Sequence, residues 1–246
     1  MNNLEKIIED FNRIKSLGYV KSSRPNNKDG GIGNTYEDLV GIKENNICLP
    51  DYLGFEVKSK REFNSSYVSL FSKSLTSPKG ANSLLRERYG EIRDLNFNRK
   101  KLYASVFGHR FSLIYNKYKM KLKVDYKEEK IFLNIFNLKS KLIDSVNWSF
   151  NDLKKSSEKI KSLILITASE KEIDGITYYH YNNAEIFSKF NFDNFLRNVE
   201  KGGIMFDLRI GVYNSGKSIG KTHDHGSGFR IKSDNFKNIY DQYLKL

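Results

Sequence analysis

A short alternating segment constrains the fold of this chain more than any other feature. Residues 55–60 (FEVKSK) alternate between apolar or small side chains and charged ones. A period of two residues is that of a β-strand, in which successive side chains point to opposite faces. The sequence therefore predicts a strand that carries Glu56, Lys58 and Lys60 on one face.

The residues around this strand indicate a chemistry. Asp51 precedes the strand at a predicted turn, and two carboxylates that converge form a hard oxygen site suited to Mg²⁺. Such an ion can activate water and polarise a phosphodiester, and a neighbouring lysine can orient the water or neutralise developing charge. Asp51, Glu56 and Lys58 are thus candidate catalytic residues, with the two carboxylates as metal ligands. Taken alone, this short pattern also fits a solvated strand of mixed charge.

The charge of the chain suggests a polyanionic partner. Its 246 residues include 42 Lys and Arg against 29 Asp and Glu, a formal net charge of +13. Lysine and arginine bind nucleic acids because neutralising phosphates releases condensed counterions. A low-GC genome that encodes Lys and Asn liberally would give the same excess, so charge alone leaves both explanations open.

Composition sets the class of protein. Hydrophobic residues make up 39% of the chain, enough for a real core in one large or two small domains. The single Cys48 forms no intrachain disulfide, which fits a reducing cytoplasm, and its apolar neighbours predict a buried small side chain. We expect no signal peptide and no membrane association, because no apolar run approaches the roughly 20 residues needed to cross a bilayer.

Periodicity predicts a mixed α/β to α+β fold. A loop is predicted over 22–34, a capping box at Thr35 and Asp38, and a turn at Asp174-Gly175. Helices are predicted over 4–17, 35–40, 81–89, 151–160 and 184–199 (broken near Asn191), and at the C-terminus around 236–244. Strands are predicted over 67–71, 102–107, 118–124, 131–136, 163–167 and 204–213, with 118–124 and 131–136 as an antiparallel pair.

A second motif lies upstream of the strand. Residues 31–41 read GIGNTYEDLVG, and 51–58 follow with Asp-x4-Glu-x-Lys. The two motifs in this order resemble the MvaI/BcnI family of type II restriction endonucleases, within the PD-(D/E)xK superfamily and related to the MutH-like nicking enzymes. The resemblance implies that Glu37 joins the active site. The plainer interpretation is that Glu37 only favours the positive end of a helix.

The C-terminal third carries a dense polar cluster. Asp207 and Arg209 share one face of a predicted strand, where an arginine could pair with guanine and a carboxylate with cytosine. His223, Asp224 and His225 follow in a loop that could enter the major groove or touch only phosphates. Zinc is disfavoured because no cysteine or further histidine lies nearby. The DNA-binding candidates are Asp207, Arg209, His223, Asp224, His225, Arg230, Lys60 and Arg61.

The family resemblance implies a restriction-endonuclease core with a second DNA-recognition lobe. We expect approximate, possibly interleaved ranges of 1–110 for the catalytic lobe and 111–246 for the recognition lobe. The resemblance further implies a monomer that needs Mg²⁺ and cuts double-stranded DNA at CC-N-GG sites, with CC(A/T)GG as the expected target. A cognate DNA methyltransferase is implied as a genetic companion and not as a physical partner.

Two alternatives stay open at this point. A MutH-like repair enzyme would use the same chemistry but only nick one strand. A non-catalytic nucleic-acid-binding module would bind in a salt-sensitive way and give no Mg²⁺-dependent product.

Overall fold

The computed structural model describes residues 2–25, 30–42, 50–63, 67–94 and 99–246. The interpretation of Cys48 as a buried side chain, and part of the loop predicted over 22–34, lie outside these ranges. Within them, no helix is long and apolar enough to cross a membrane.

Five α-helices and fifteen strands are assigned in the described part of the chain. The helices are α1 (Asn3–Ser16), α2 (Gly31–Val40), α3 (Ala81–Tyr89), α4 (Phe150–Ser157) and α5 (Phe192–Lys201), with 3-10 helices at Glu158–Ile160 and Ser233–Asn238. The strands are β1 (Tyr19–Lys21), β2 (Glu56–Arg61), β3 (Tyr67–Ser72), β4 (Glu91–Asp94), β5 (Arg99–Val106), β6 (Ser112–Ile114), β7 (Tyr118–Asp125), β8 (Lys130–Phe136), β9 (Leu142–Ser149), β10 (Ser162–Ile173), β11 (Ile176–Phe190), β12 (Ile204–Val212), β13 (Thr222–Asp224), β14 (Gly228–Lys232) and β15 (Tyr240–Lys245).

The chain forms two compact units from interleaved segments. The first unit comprises Met1–Val68, Glu158–Asn191 and Phe236–Leu246, and the second comprises Ser69–Ser157 and Phe192–Asn235. The catalytic lobe expected over 1–110 and the recognition lobe expected over 111–246 stay a prediction. The segments of the two units interleave because strands pair across long sequence separations, as β2 does with β10.

The first unit is built on a mixed sheet with the order β1-β11-β10-β2, and β15 also pairs with β11. β2 runs parallel to β10, whereas the other pairs are antiparallel. Helix α1 buries Ile7, Phe11 and Ile14 in the core of this unit, as its helical spacing predicts. Helix α2 adds Ile32 and Tyr36 to the same core.

The second unit contains two sheets. One has the order β3-β14-β12-β5-β4 with β13 on β12, and the other is the antiparallel β6-β7-β8-β9. The predicted pair of strands at 118–124 and 131–136 is confirmed as β7 and β8. Trp148 lies at the centre of the core, with its ring centroid 4.5 Å from that of Phe206 and 5.4 Å from that of Phe229.

Two predicted helices are wrong, one in part and one throughout. Residues 184–190 of the helix predicted over 184–199 belong to strand β11, whereas the part after the predicted break near Asn191 is helical as α5. The C-terminal helix is a 3-10 turn followed by β15, which pairs with β11. In both places the hydrogen bonds offered by neighbouring strands override local preference, because strand formation depends strongly on tertiary context.

The capping box predicted at Thr35 is also wrong. Helix α2 begins at Gly31, so Thr35 lies inside it, and Gly30 at the N-cap makes no side-chain cap. The buried Thr35 hydroxyl instead accepts a hydrogen bond of 3.0 Å from the backbone N–H of Ser23. The turn at Asp174-Gly175 is confirmed between β10 and β11.

Candidate active site

Strand β2 presents the predicted charged residues on one face. It stands last in the strand order of its sheet, with Glu56 beside Leu163 and Lys58 beside Leu165 of β10. The apolar Val57 points the other way and is buried in the core. The two-residue period therefore separates the core face of β2 from its polar face, as the sequence predicts.

A tight turn brings Asp51 close to Glu56. Tyr52 and Phe55 exchange backbone hydrogen bonds of 2.9 and 2.8 Å around Leu53 and Gly54. Both turn residues have positive φ, and the value of +87° at Gly54 is one that glycine adopts without steric cost. Beyond the turn, Asp51 Oδ2 accepts a hydrogen bond of 3.3 Å from the N–H of Val57.

Glu56 is the most deeply buried charged group of this region. Only 1% of the residue is exposed, and its Oε1 accepts hydrogen bonds from Nζ of Lys58 and, at 2.8 Å, from Nζ of Lys159. Burial raises the pKa of the carboxyl group, but the two ammonium groups outweigh burial and hold the pKa below its ordinary value. The other oxygen, Oε2, is buried and accepts no hydrogen bond from the described residues.

The pKa of Asp51 is shifted in the opposite direction from that of Glu56. The residue is exposed overall, yet desolvation of its carboxyl group raises its pKa, and the negative charge of Glu56 raises it further. The N–H of Val57 and the charge of Lys58 oppose these effects without reversing them. The two carboxylates therefore lie close enough to repel each other, a situation that a bound cation relieves.

Lys159 is a site residue that the sequence analysis missed. It lies in the 3-10 helix that precedes β10, and the Tyr240 hydroxyl holds this helix by donating to the carbonyl of Ile160 at 2.7 Å. The contact between Lys159 and Glu56 spans 103 residues. No local pattern predicts it, because it depends on the parallel pairing of β2 with β10.

Glu37 lies on α2, half-buried, next to the strand that carries Glu56. Helix and strand approach closely, since a Cβ added to Gly33 would stand 3.0 Å from Ser59 Oγ. Among the described residues, no three His, Cys, Asp or Glu side chains are grouped so that they could hold a metal. The metal role of Glu37 therefore stays a prediction.

The residues present fit a divalent cation with oxygen ligands. The unpartnered Glu56 Oε2 and the neighbouring Asp51 carboxylate are hard donors, and Mg²⁺ binds in proteins through one or two carboxylates with water and phosphate oxygens completing its shell. No histidine or cysteine belongs to this pair, so the donor set favours Mg²⁺ over zinc.

The second unit holds a separate polar cluster on β12 and β14. Asp207 is 4% exposed, and its Oδ2 lies 2.8 Å from Nε of Arg209 and 3.0 Å from Nε of Arg230. Ser105 Oγ stands 3.5 Å from Oδ1. The structure thus brings together three of the predicted residues, Asp207 and Arg209 on β12 and Arg230 on β14.

Among residues 223–225, the two histidines make ring contacts, whereas the aspartate accepts hydrogen bonds. The His223 ring stacks on Tyr213 at a centroid distance of 4.0 Å and contacts the His225 ring at 4.4 Å. Burial lowers the pKa of His225, and the nearby His223 lowers it further. Asp224 instead accepts four hydrogen bonds within the second unit, and the donors are Ser74 Oγ, Asn82 Nδ2 and the N–H groups of Gly226 and Ser227.

The two basic residues at the end of β2 differ in their contacts. Arg61 Nε donates to Glu170 Oε2 on β10 at 2.7 Å. Lys60 is half-buried on the same face as Glu56 and Lys58. Both lie in the first unit with the candidate active site.

Comparison with known proteins gives full-length matches. The model of the MvaI/BcnI restriction endonuclease family matches residues 8–240. The solved structure of restriction endonuclease MvaI with its cognate DNA substrate is 33% identical, with a TM-score of 0.89, and the match covers 100% of this chain and 98% of that one. MvaI without DNA gives the same identity and coverage with a TM-score of 0.67. No curated protein sequence matches significantly.

These matches and the site of β2 define the class as type II restriction endonucleases, enzymes that cut DNA at specific sites. Within that class, the chain belongs to the MvaI/BcnI restriction endonuclease family. The family expected from residues 31–41 and 51–58 is confirmed, as is the mixed α/β fold.

Proposed function

We propose that this enzyme hydrolyses phosphodiester bonds of double-stranded DNA at the pseudosymmetric sequence CC(A/T)GG, as a monomer that requires Mg²⁺. The observation that carries the metal-dependent chemistry is the state of Glu56, and the target and the monomeric action rest on the similarity to the MvaI/BcnI family. One oxygen of this buried carboxylate is neutralised by two lysines, and the other stands unpartnered near Asp51. A buried acceptor without a partner is costly unless a ligand completes it.

The catalytic roles follow from the contacts of β2. Asp51 and Glu56 would hold the Mg²⁺ ion, with Glu37 completing the site, and the bound ion supplies Lewis-acid activation of water and phosphate. Lys58 is held by Glu56 Oε1, so its remaining N–H groups can orient the attacking water. Lys159 shares that carboxylate oxygen and keeps Glu56 ionised.

The recognition roles follow from the cluster on β12 and β14. Arg209 donates from Nε to Asp207, and Arg230 forms an ion pair with the same carboxylate oxygen. The terminal nitrogens of both arginines would be the forks that match O6 and N7 of guanine. His223 and His225 contribute further polar contacts, and Asp224, the last residue of β13, fixes the segment after this strand through its four internal hydrogen bonds. Lys60 and Arg61 contact the DNA backbone. The similarity to MvaI in complex with cognate DNA supports this assignment.

Monomeric action predicts a nicked intermediate. The chain contains one set of Asp51, Glu56 and Lys58, so a single molecule must cut the two strands in separate events. Sedimentation at the enzyme concentration used for cleavage would report the mass of the active species. A dimer there would contradict this part of the proposal.

A panel of labelled duplexes tests the target and the metal together. Duplexes with CC(A/T)GG, CC(G/C)GG or no such site would be incubated with Mg²⁺ or with EDTA. Cleavage of both strands of the CC(A/T)GG duplex alone, and only with Mg²⁺, is expected. Cleavage at a G/C centre would overturn the assigned target, a product nicked in one strand would indicate a MutH-like enzyme, and binding without any product would indicate a non-catalytic module.

A further inference from the structure

A buried carboxylate on α1 has no part in the chemistry described above. Asp10 is 6% exposed and lies on the same helix face as the core residues Ile7, Phe11 and Ile14. A charge on a core-facing position costs free energy unless several donors satisfy it. Asp10 has such donors in Lys6, Arg13 and Tyr52, and two of them connect it to other segments of the first unit.

One oxygen of Asp10 connects to the turn that carries Asp51. The Tyr52 hydroxyl donates to Asp10 Oδ2, and Tyr52 is the residue directly after Asp51. Asn3, also on α1, donates from Nδ2 to the carbonyl of Leu53 at 3.1 Å. Helix α1 thus holds the turn between Asp51 and Glu56 at two points.

The other oxygen connects to the helix that carries Glu37. Arg13 Nη2 donates to Asp10 Oδ1 at 3.3 Å and to the carbonyl of Leu39 at 3.2 Å. Leu39 lies two residues after Glu37, in the last turn of α2. The same carboxylate is therefore linked through different partners to the segments of two proposed metal-binding residues.

We propose that Asp10 is a positioning residue of the active site, which through Tyr52 sets the place of Asp51 and through Arg13 sets the end of α2 that carries Glu37. The inference rests on the proposed function, since it assigns Asp10 to the support of that metal site. Burial raises the pKa of Asp10, but the hydrogen bonds from Tyr52 and Lys6 outweigh burial and hold the pKa below its ordinary value. Groups that orient metal ligands from behind commonly set metal affinity.

The first test removes one oxygen atom. Tyr52→Phe deletes the hydroxyl that bonds Asp10 and keeps the ring. Tyr243→Phe is its matched control, because Tyr243 donates a similar hydrogen bond of 2.9 Å to Glu185 elsewhere in the first unit. Mn²⁺ binding to each protein would be followed by the loss of the free-ion electron paramagnetic resonance signal, with DNA binding in EDTA and thermal unfolding measured alongside.

The expected result is a loss of Mn²⁺ affinity by about tenfold for Tyr52→Phe, typical of removing a group behind a metal ligand. DNA binding in EDTA stays unchanged, and Tyr243→Phe matches the wild type in both measurements. A folded Tyr52→Phe protein that binds Mn²⁺ as tightly as the wild type would overturn the inference and leave the proposed function standing. Failure of the wild type itself to bind Mn²⁺ would overturn both.

A second variant keeps the test decisive if Tyr52→Phe does not fold. Arg13 is half exposed, so Arg13→Met is expected to fold while it breaks the link from Asp10 to α2. Its control is Lys15→Met on the same helix. Lower Mn²⁺ affinity in Arg13→Met but not in Lys15→Met supports the positioning role, and equal affinity in both contradicts it.

Discussion

Two buried carboxylates, one in each unit, have similar cationic neighbours at one oxygen but different surroundings at the other. Glu56 and Asp207 each direct one oxygen at two cationic side chains. At Glu56 the cations are lysines and the second oxygen has no partner among the described residues, whereas at Asp207 the cations are arginines and Ser105 approaches the second oxygen.

The difference agrees with the proposed division of labour, with chemistry in the first unit and recognition in the second. Lysine is a compact point charge, so the Glu56 site can hold an ionised carboxylate and still offer an oxygen to a cation. Arginine is a planar fork with five donors, so Arg209 can donate from Nε to Asp207 and keep its other donors for a base. In the proposed roles, a buried carboxylate would hold a cation in the first unit and would orient arginine side chains in the second.

The largest effect is expected at the carboxylate of the first unit. Glu56→Gln keeps the size of the side chain but removes its charge, and we expect cleavage to fall by about 10³-fold, since a bound metal contributes several kcal/mol. Specific DNA binding in EDTA should stay at the wild-type level. Single-turnover cleavage and gel-shift titration measure the two quantities, with Glu185→Gln on β11 as the matched control. Cleavage at a near wild-type rate would contradict the proposed role of Glu56 as a metal ligand.

The two lysines are expected to differ. Lys58→Met removes the group proposed to orient water and should slow cleavage by about 10²-fold. Lys159→Met removes only one of the two charges that neutralise Glu56. We therefore expect cleavage to slow by about tenfold, because part of the electrostatic stabilisation is lost. Lys161→Met, an exposed neighbour of Lys159, is the control. A larger loss for Lys159 than for Lys58 would reverse the proposed roles.

Substitution of the arginines in the second unit should weaken DNA binding more than it slows the cleavage step. Arg209→Lys and Arg230→Lys keep the charge but lose the fork, at about 1–3 kcal/mol for each bidentate base contact, or roughly 5- to 150-fold in affinity for the CC(A/T)GG duplex. Affinity for DNA without the site should change little. Arg197→Lys on α5 is the control for an arginine in the same unit. Equal losses on specific and non-specific duplexes would show that these arginines contact only phosphates.

The smallest effect is expected on stability. Asp207→Asn leaves Arg209 and Arg230 beside a neutral group, and the free energy of unfolding should fall by about 1–2 kcal/mol, less than for a fully buried pair because both arginines are partly exposed. Denaturant unfolding of the variant measures this loss. An unchanged midpoint would mean that Asp207 does not hold the two arginines in solution.

Local sequence patterns predict those parts of the candidate active site that are formed by residues close together in the chain. The alternation over 55–60 sets the polar face of β2, and Gly54 allows the turn that places Asp51 beside Glu56. The spacing of apolar residues in α1 likewise predicts its buried face. In each case the causes lie within a few residues of the effect.

Features set by distant partners could not be predicted in this way. Lys159 reaches Glu56 only because β10 pairs with β2, and Asp10 reaches Tyr52 only because α1 packs in the same core. Strand β11 was predicted in part as a helix, because its apolar residues fit either period until β10 and β15 supply hydrogen bonds. The residue types at these positions do not indicate which distant residues they contact.

Mapping the ends of a cleaved plasmid tests the central claim most directly. The purified enzyme would be incubated with a plasmid of known sequence, with Mg²⁺ or with EDTA, and the termini of the products would be sequenced. We predict a transient nicked circle followed by linear fragments whose ends all lie at CC(A/T)GG sites, with no product in EDTA. An intact plasmid under both conditions, although the protein binds it, would contradict the account.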